Sequence, residues 1–212
     1  MHLVAVLSLI GSVAAAQTAV APVFARYGIH ASVAEAATVR NDGPHRVTAV
    51  NWIWWGTTSG GSRIPMGVHQ SAGIQSGDSL ITAPPRPVMQ FTTVEASLDS
   101  VVLNNEMVLG PDEFGVIEAR RAADAATAEI AARLNDPSLS DAQLNHWLQE
   151  AGDRRLLLKP NGLPDHSNGG TGTMALTVKQ QIEQHGRAKV AALFAEVAKR
   201  NAAAKPLVSV RE

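Results

Sequence analysis

The chain has 212 residues, 45% of them hydrophobic and 17% charged, with a formal net charge of −1 and no cysteine. That composition belongs to a folded protein, and the near-neutral charge without a basic run argues against nucleic acid or an anionic membrane surface as partner. Without cysteine there is no disulfide, lipid-modified N-terminal cysteine, thiolate metal site or cysteine nucleophile, so the core must hold by packing alone.

Residues 1–16 read as a secretory signal peptide. Leu3 to Val13 is an uncharged apolar stretch of the right length, and Ala14-Ala15-Ala16 supplies the small residues of a cleavage site before Gln17. The n-region carries His2 but neither Lys nor Arg, and the first charged residue is Arg26. The apolar run can thus be extended to Ala21, close to the ~20 residues of a bilayer span. Gln17, Thr18 and Pro22 interrupt that extension. Cleavage is the preferred reading, with an uncleaved anchor as the alternative and the only way a membrane enters. Either way, the rest of the chain is expected outside the cytoplasm, periplasmic or secreted.

Residues 17–110 carry strand signals. Thr38 to Arg40 and Arg46 to Trp55 are rich in β-branched and aromatic residues, and Asn41-Asp42-Gly43-Pro44-His45 between them predicts a hairpin turn. Further strands are expected at Arg63 to His69, Ser79 to Thr82, Val88 to Val94, Leu98 to Leu103 and Met107 to Leu109. Glycine, proline and asparagine clusters separate them. Short strands at this spacing predict an antiparallel immunoglobulin-like β-sandwich.

Residues 111–206 turn helical, giving an α+β fold with about three C-terminal helices. Asp112 is the expected N-cap of a helix reaching Leu134. Eight of the fourteen residues from Ala119 to Ala132 are alanine, which favours helix but buries little area. A second helix opens with a capping box, Ser140 and Gln143, and a staple, Leu139 and Leu144. Its apolar face is Leu144, Trp147, Leu148 and Ala151, and Gly152 ends it. A third helix is expected from Thr177 to Ala203, with Thr177 and Gln180 as a capping-box pair and Gly186 as a point of close approach or kinking. The intervening residues 160–173 read as a Gly-rich loop, and 207–212 as a loose tail.

Candidate chemistry is sparse. Trp52 and Trp54 share one strand face and offer an aromatic platform for a sugar or protein, set against ordinary core packing. The glycine stretch before the third helix lacks the Gly-Lys-Ser/Thr ending of a phosphate loop. Asp165-His166-Ser167 holds the residue types of a hydrolase triad, but consecutive residues cannot align as one. The histidines stand singly, without HExxH or HxH spacing, so no metal ligand set and no cofactor is indicated. Were the protein a hydrolase, its polar groups would come from His69, His146, Asp165, His166 and His185, brought together by folding.

Three pieces together resemble a known group: Thr38-Val39-Arg40-Asn41-Asp42-Gly43 leading into Val47-Thr48-Ala49, the Gly77-Asp78-Ser79 turn, and Leu109-Gly110-Pro111-Asp112 opening a long alanine-rich helix. They are similar to uncharacterised exported bacterial proteins that pair an immunoglobulin-like sandwich with C-terminal helices. The resemblance implies a fold and an extracytoplasmic site, and no activity. The expected function is therefore non-enzymatic: binding a protein or glycan, or envelope structure. An extracytoplasmic hydrolase with a site between sandwich and helices is the alternative.

Overall fold

The computed structural model describes residues 22–34, 36–85, 90–153, 157–166 and 170–211. The expected signal segment, the start of the Val88 to Val94 strand, Arg154-Arg155 and Asn168-Gly169 lie outside the described residues.

The fold is mixed α+β. A short helix α1 (Pro22–Arg26) precedes strands β1 (Ile29–Val33), β2 (Ala37–Asn41), β3 (Val47–Thr57), β4 (Arg63–Ile74), β5 (Ser79–Thr82), β6 (Thr93–Leu103) and β7 (Met107–Leu109). Helices α2 (Val116–Leu134) and α3 (Asp141–Gly152), strands β8 (Leu157–Leu158) and β9 (Pro164–Asp165), helices α4 (Gly170–His185) and α5 (Arg187–Ala203), and strand β10 (Val208–Val210) follow. One sheet has the order β1-β2-β5, and a larger one β10-β7-β6-β3-β4. A two-stranded hairpin, β8-β9, stands apart from both.

The larger sheet is not wholly antiparallel, because β10 runs parallel to β7. The expected tail is thus a strand that returns from the helices and closes the sheet edge.

The hairpin expected around Asn41 to His45 does not form. β2 pairs with β1 and β5, and β3 pairs with β4 and β6, so the turn carries the chain from one sheet to the other. Asn41 explains the change. Its side chain accepts from Gly43 N at 3.0 Å and donates to His45 O at 2.9 Å and to Ile74 O at 3.1 Å, while Asp42 N donates to Gly28 O at 2.7 Å. Asn41 closes the turn locally through Gly43 and His45, and the bonds to Ile74 and Gly28 tie it to neighbouring segments.

Residues from both sheets share one core. Ile29, Ala37 and Val39 pack with Val50, Trp52, Trp54, Leu98, Val101 and Leu103, and Val23 and Phe24 of α1 complete the cluster. β3 is apolar on both faces because both are covered, as expected of a central strand. On its outer side, Ala49 packs with Val102, Val108, Val116, Ile117 and Leu207, where α2 and the returning tail meet the sheet. Gly67 faces the Phe114 ring so closely that any β-carbon there would collide with it.

The helices form a second core of Ile130, Leu134, Leu144, Leu148, Ala151, Ala175, Val178, Val190 and Ala191. α2 packs on α4 and α5, and α3 packs on α4. The capping box of α3 forms as expected, with Ser140 Oγ accepting from Gln143 N at 3.3 Å and Gln143 Oε1 accepting from Ser140 N at 3.0 Å. Three other expectations change. The single helix expected from Thr177 starts earlier, at Gly170, and breaks at Gly186, whose φ of 81° is left-handed and suits glycine. Thr177 and Gln180 therefore lie inside α4 rather than at the start of a helix. The 160–173 segment holds strand β9 and the first turn of α4 rather than one long loop. At the start of α2, Gly115 takes the N-cap place expected for Asp112.

Candidate functional site

The joint between the two cores is built on a bulge. β6 pairs Ser100 with Asn51 and Leu98 with Trp52, leaving Asp99 as the extra residue. A bulge re-aims a side chain that regular alternation would place elsewhere. Asp99 is 2% exposed, and its carboxylate accepts from Glu113 N at 2.7 Å, Phe114 N at 3.3 Å and Ser100 Oγ at 3.3 Å. Asn51 Nδ2 donates to Ser100 Oγ at 3.0 Å. Burial raises the Asp99 carboxyl from the usual carboxylate range to about 6, outweighing the backbone donors that favour its anion; nearby Asp112 adds to the rise.

Asp112 repeats the device one step along. It is displaced from the N-cap, yet its oxygens accept from Val116 N at 2.6 Å and Ile117 N at 3.3 Å. The carboxylate thereby satisfies amides that the first turn of a helix leaves without partners. Two buried acids in succession thus fix the 110–115 connection and the direction in which α2 leaves the sheet.

Polar side chains converge on Gly115. A β-carbon at that residue would lie 3.2 Å from Glu118 Oε2, 3.3 Å from Lys159 Nζ and 3.3 Å from His166 Cδ2. Lys159 and Glu118 form an ion pair at 3.2 Å. His166 Nε2 lies 3.1 Å from Phe114 O, and the two rings are 5.8 Å apart and tilted. A carbonyl can only accept, so Nε2 carries the proton in that contact.

Beside this cluster opens a cleft of about 380 Å³, lined by Asp112, Glu118 and Arg121 on the α2 side, Lys159 from the β8-β9 turn, and Ser209 and Arg211 from the returning tail. A smaller hollow of about 200 Å³ adjoins it along α2, sharing Ile117, Arg121 and Leu207 and adding Arg120, Asp124 and Lys205.

The residues singled out in the sequence do not assemble there, His166 excepted. Trp52 and Trp54 are 0% and 3% exposed and belong to the core, so neither presents a ring to a ligand. The ring that reaches the surface of β3 is Trp55, half-buried, with the Arg63 guanidinium 4.4 Å from its centre and Glu95 paired to that arginine at 2.9 Å. His146 is exposed on α3, 3.4 Å from Glu150. His185 is exposed at the end of α4. Asp165 lies on β9 opposite Leu157. His69 lies on β4 opposite Asn51, and its side chain is outside the described residues. Among the described residues, no group of three or more His, Asp or Glu side chains is placed to hold a metal ion, and no helix is long and apolar enough to cross a membrane.

Nothing in the sequence pointed to Lys159, and the tail read there as loose is a strand. The one legible sign was Asp99-Ser100, two polar residues that interrupt the apolar run Leu98 to Leu103. No protein-family model, curated protein or solved structure matches the chain.

Proposed function

We propose that the protein is an exported, non-enzymatic binding protein, in which an immunoglobulin-like sandwich and a C-terminal helical region frame a ligand site at their joint. The exported reading rests on residues 1–16, and the kinship with exported sandwich-plus-helix proteins of bacteria on the turn motifs around Asn41, Gly77 and Gly110. Two sheets on one tryptophan-centred core support the sandwich reading.

One observation carries the preference for binding over chemistry: the acids at the joint are already engaged. Both oxygens of Asp112 accept backbone amides, and Glu118 is paired with Lys159. A general base must reach a substrate proton, and these carboxylates are spent on structure. Export is checked by fractionation and N-terminal sequencing, where a start at Gln17 is expected and an intact Met1 in the cytoplasm would reject it. Binding is checked by affinity for isolated envelope polysaccharide and protein fractions.

The hydrolase alternative draws on His166, which stands beside the Lys159–Glu118 pair. A panel of ester, amide and glycoside substrates separates the two. Turnover that disappears in His166→Ala would replace the binding reading with this one.

A further inference from the structure

On the reading of the joint as the binding surface, we propose that its cleft takes a small oxyanionic ligand, with a carboxylate or phosphate group held between Arg121 of α2 and Arg211 at the end of β10. The charge balance points there. The cleft and its adjoining hollow are lined by Arg120, Arg121, Lys159, Lys205 and Arg211, against Asp112, Glu118 and Asp124. Each of those acids is engaged: Asp112 by two amides, Glu118 by Lys159 at 3.2 Å, and Asp124 by Arg120 at 3.0 Å. Arg121, Lys205 and Arg211 have no carboxylate within ion-pair distance among the described residues.

Geometry and size fit a small ligand. Arg211 Nε donates to Ser209 Oγ at 3.1 Å, which orients its guanidinium on the cleft wall. Arginine's planar fork matches the two oxygens of a carboxylate or phosphate, so two arginines on one cleft favour that group over a neutral sugar. A cleft of about 380 Å³ lies in the range of small-molecule sites. The cations sit in a concavity of a chain whose net charge is −1, which is unlike the long basic surface a polyanion needs.

A ligand there would bridge α2 and the tail strand. β10 has three residues and, among the described residues, pairs with β7 alone in the sheet. Tying Arg211 to Arg121 fastens the tail strand to α2.

Calorimetric titration of the purified protein with citrate and with inorganic phosphate, at low ionic strength and with glycerol as neutral control, tests the assignment. One saturable site for either anion is expected, and the arm that binds identifies the source as carboxylate, phosphate or both. Arg121→Gln and Arg211→Gln should each weaken binding about tenfold, the loss of one charge-assisted contact. Arg120→Gln, already committed to Asp124, should stay within about twofold. Hydrogen exchange at Val208–Val210 should slow on binding. Should Arg211→Gln release β10, Arg121→Gln still decides, since that exposed side chain lies within a helix. Absence of binding by either anion, or binding unchanged in both variants, overturns the site. Anion binding in a protein that also turns over a substrate would leave the site standing and remove the non-enzymatic reading. Envelope-fraction binding without anion binding would do the reverse.

Discussion

The two-sheet region fills its core with large side chains, Trp52, Phe24, Leu103 and Ile29, all under 3% exposed. The helical region fills its core with aliphatic residues alone: three of its nine buried members are alanine and the rest leucine, isoleucine or valine, and its one tryptophan, Trp147, is only partly buried. Burial stabilises in proportion to apolar area, so the sheets can rely on packing while the helices need another source of order. Arg187 supplies it. From the start of α5 its guanidinium donates to the carbonyls of Arg133, Leu134, Asp136 and Leu139, at 2.6 to 3.4 Å, and pairs with Asp141 at 3.1 Å. One side chain thereby closes the C-terminus of α2, the α2–α3 connection and the start of α3, with its charge placed where the helix dipole favours a cation. One region is organised by area, the other by satisfied helix ends.

Substitutions at four positions test that contrast. Trp52→Ala, an excavation of the large-residue core, should cost ~3–5 kcal/mol and disrupt the sheets first. Denaturant unfolding followed by tryptophan near-ultraviolet dichroism reads it. If the helical signal were lost first, the two cores would not be separately organised.

The joint is expected to respond to pH through Asp99. Its folded carboxyl is raised to about 6 against 3.8, so between those values the folded state binds more protons than the unfolded. Stability contributed by this group is therefore full below the unfolded value and declines as pH rises through about 6. Relative to Asp99→Asn, which cannot ionise, wild-type stability should fall by up to about 3 kcal/mol between acid and neutral pH. Asp136 works in the opposite sense. Hydrogen bonds from Ser138 lower its carboxyl, so it favours folding above the ordinary carboxylate range and loses that contribution in acid. The difference between wild type and Asp99→Asn removes this background, and a flat difference would refute the assignment.

Arg187→Ala should cost roughly 2 kcal/mol, because partly buried carbonyls lose a charged donor. Arg187→Lys should recover little, since an ammonium cannot reach several carbonyls in one plane. Hydrogen exchange confined to α2, α3 and α5 would localise the loss, and faster exchange in the sheets would contradict it. Ser140→Ala removes one cap and should cost ~1 kcal/mol, read as a small shift in thermal midpoint.

Local features were legible in the sequence wherever a few adjacent residues determine them. Ser140 and Gln143 form their cap because both partners lie within one turn, and Ser79–Thr82 and Met107–Leu109 are strands because turn formers bracket them. The period of a strand also placed Trp52 and Trp54 on one face of β3, although it did not say which ring would reach the surface. Trp55 does so because the smaller sheet and α1 cover Trp52 and Trp54, a matter of what packs on each face rather than of β3 itself.

The sequence alone determined composition, the absence of disulfide chemistry, the change from strand to helix near Gly110, and the local caps and turns. Tertiary structure decided sheet membership, the break at Gly186, the return of residues 208–210 as an edge strand, and the whole candidate site. The physical reason is distance along the chain. The cleft gathers Asp112, Lys159 and Arg211, which lie tens of residues apart along the chain, and no local pattern encodes a meeting that only packing creates.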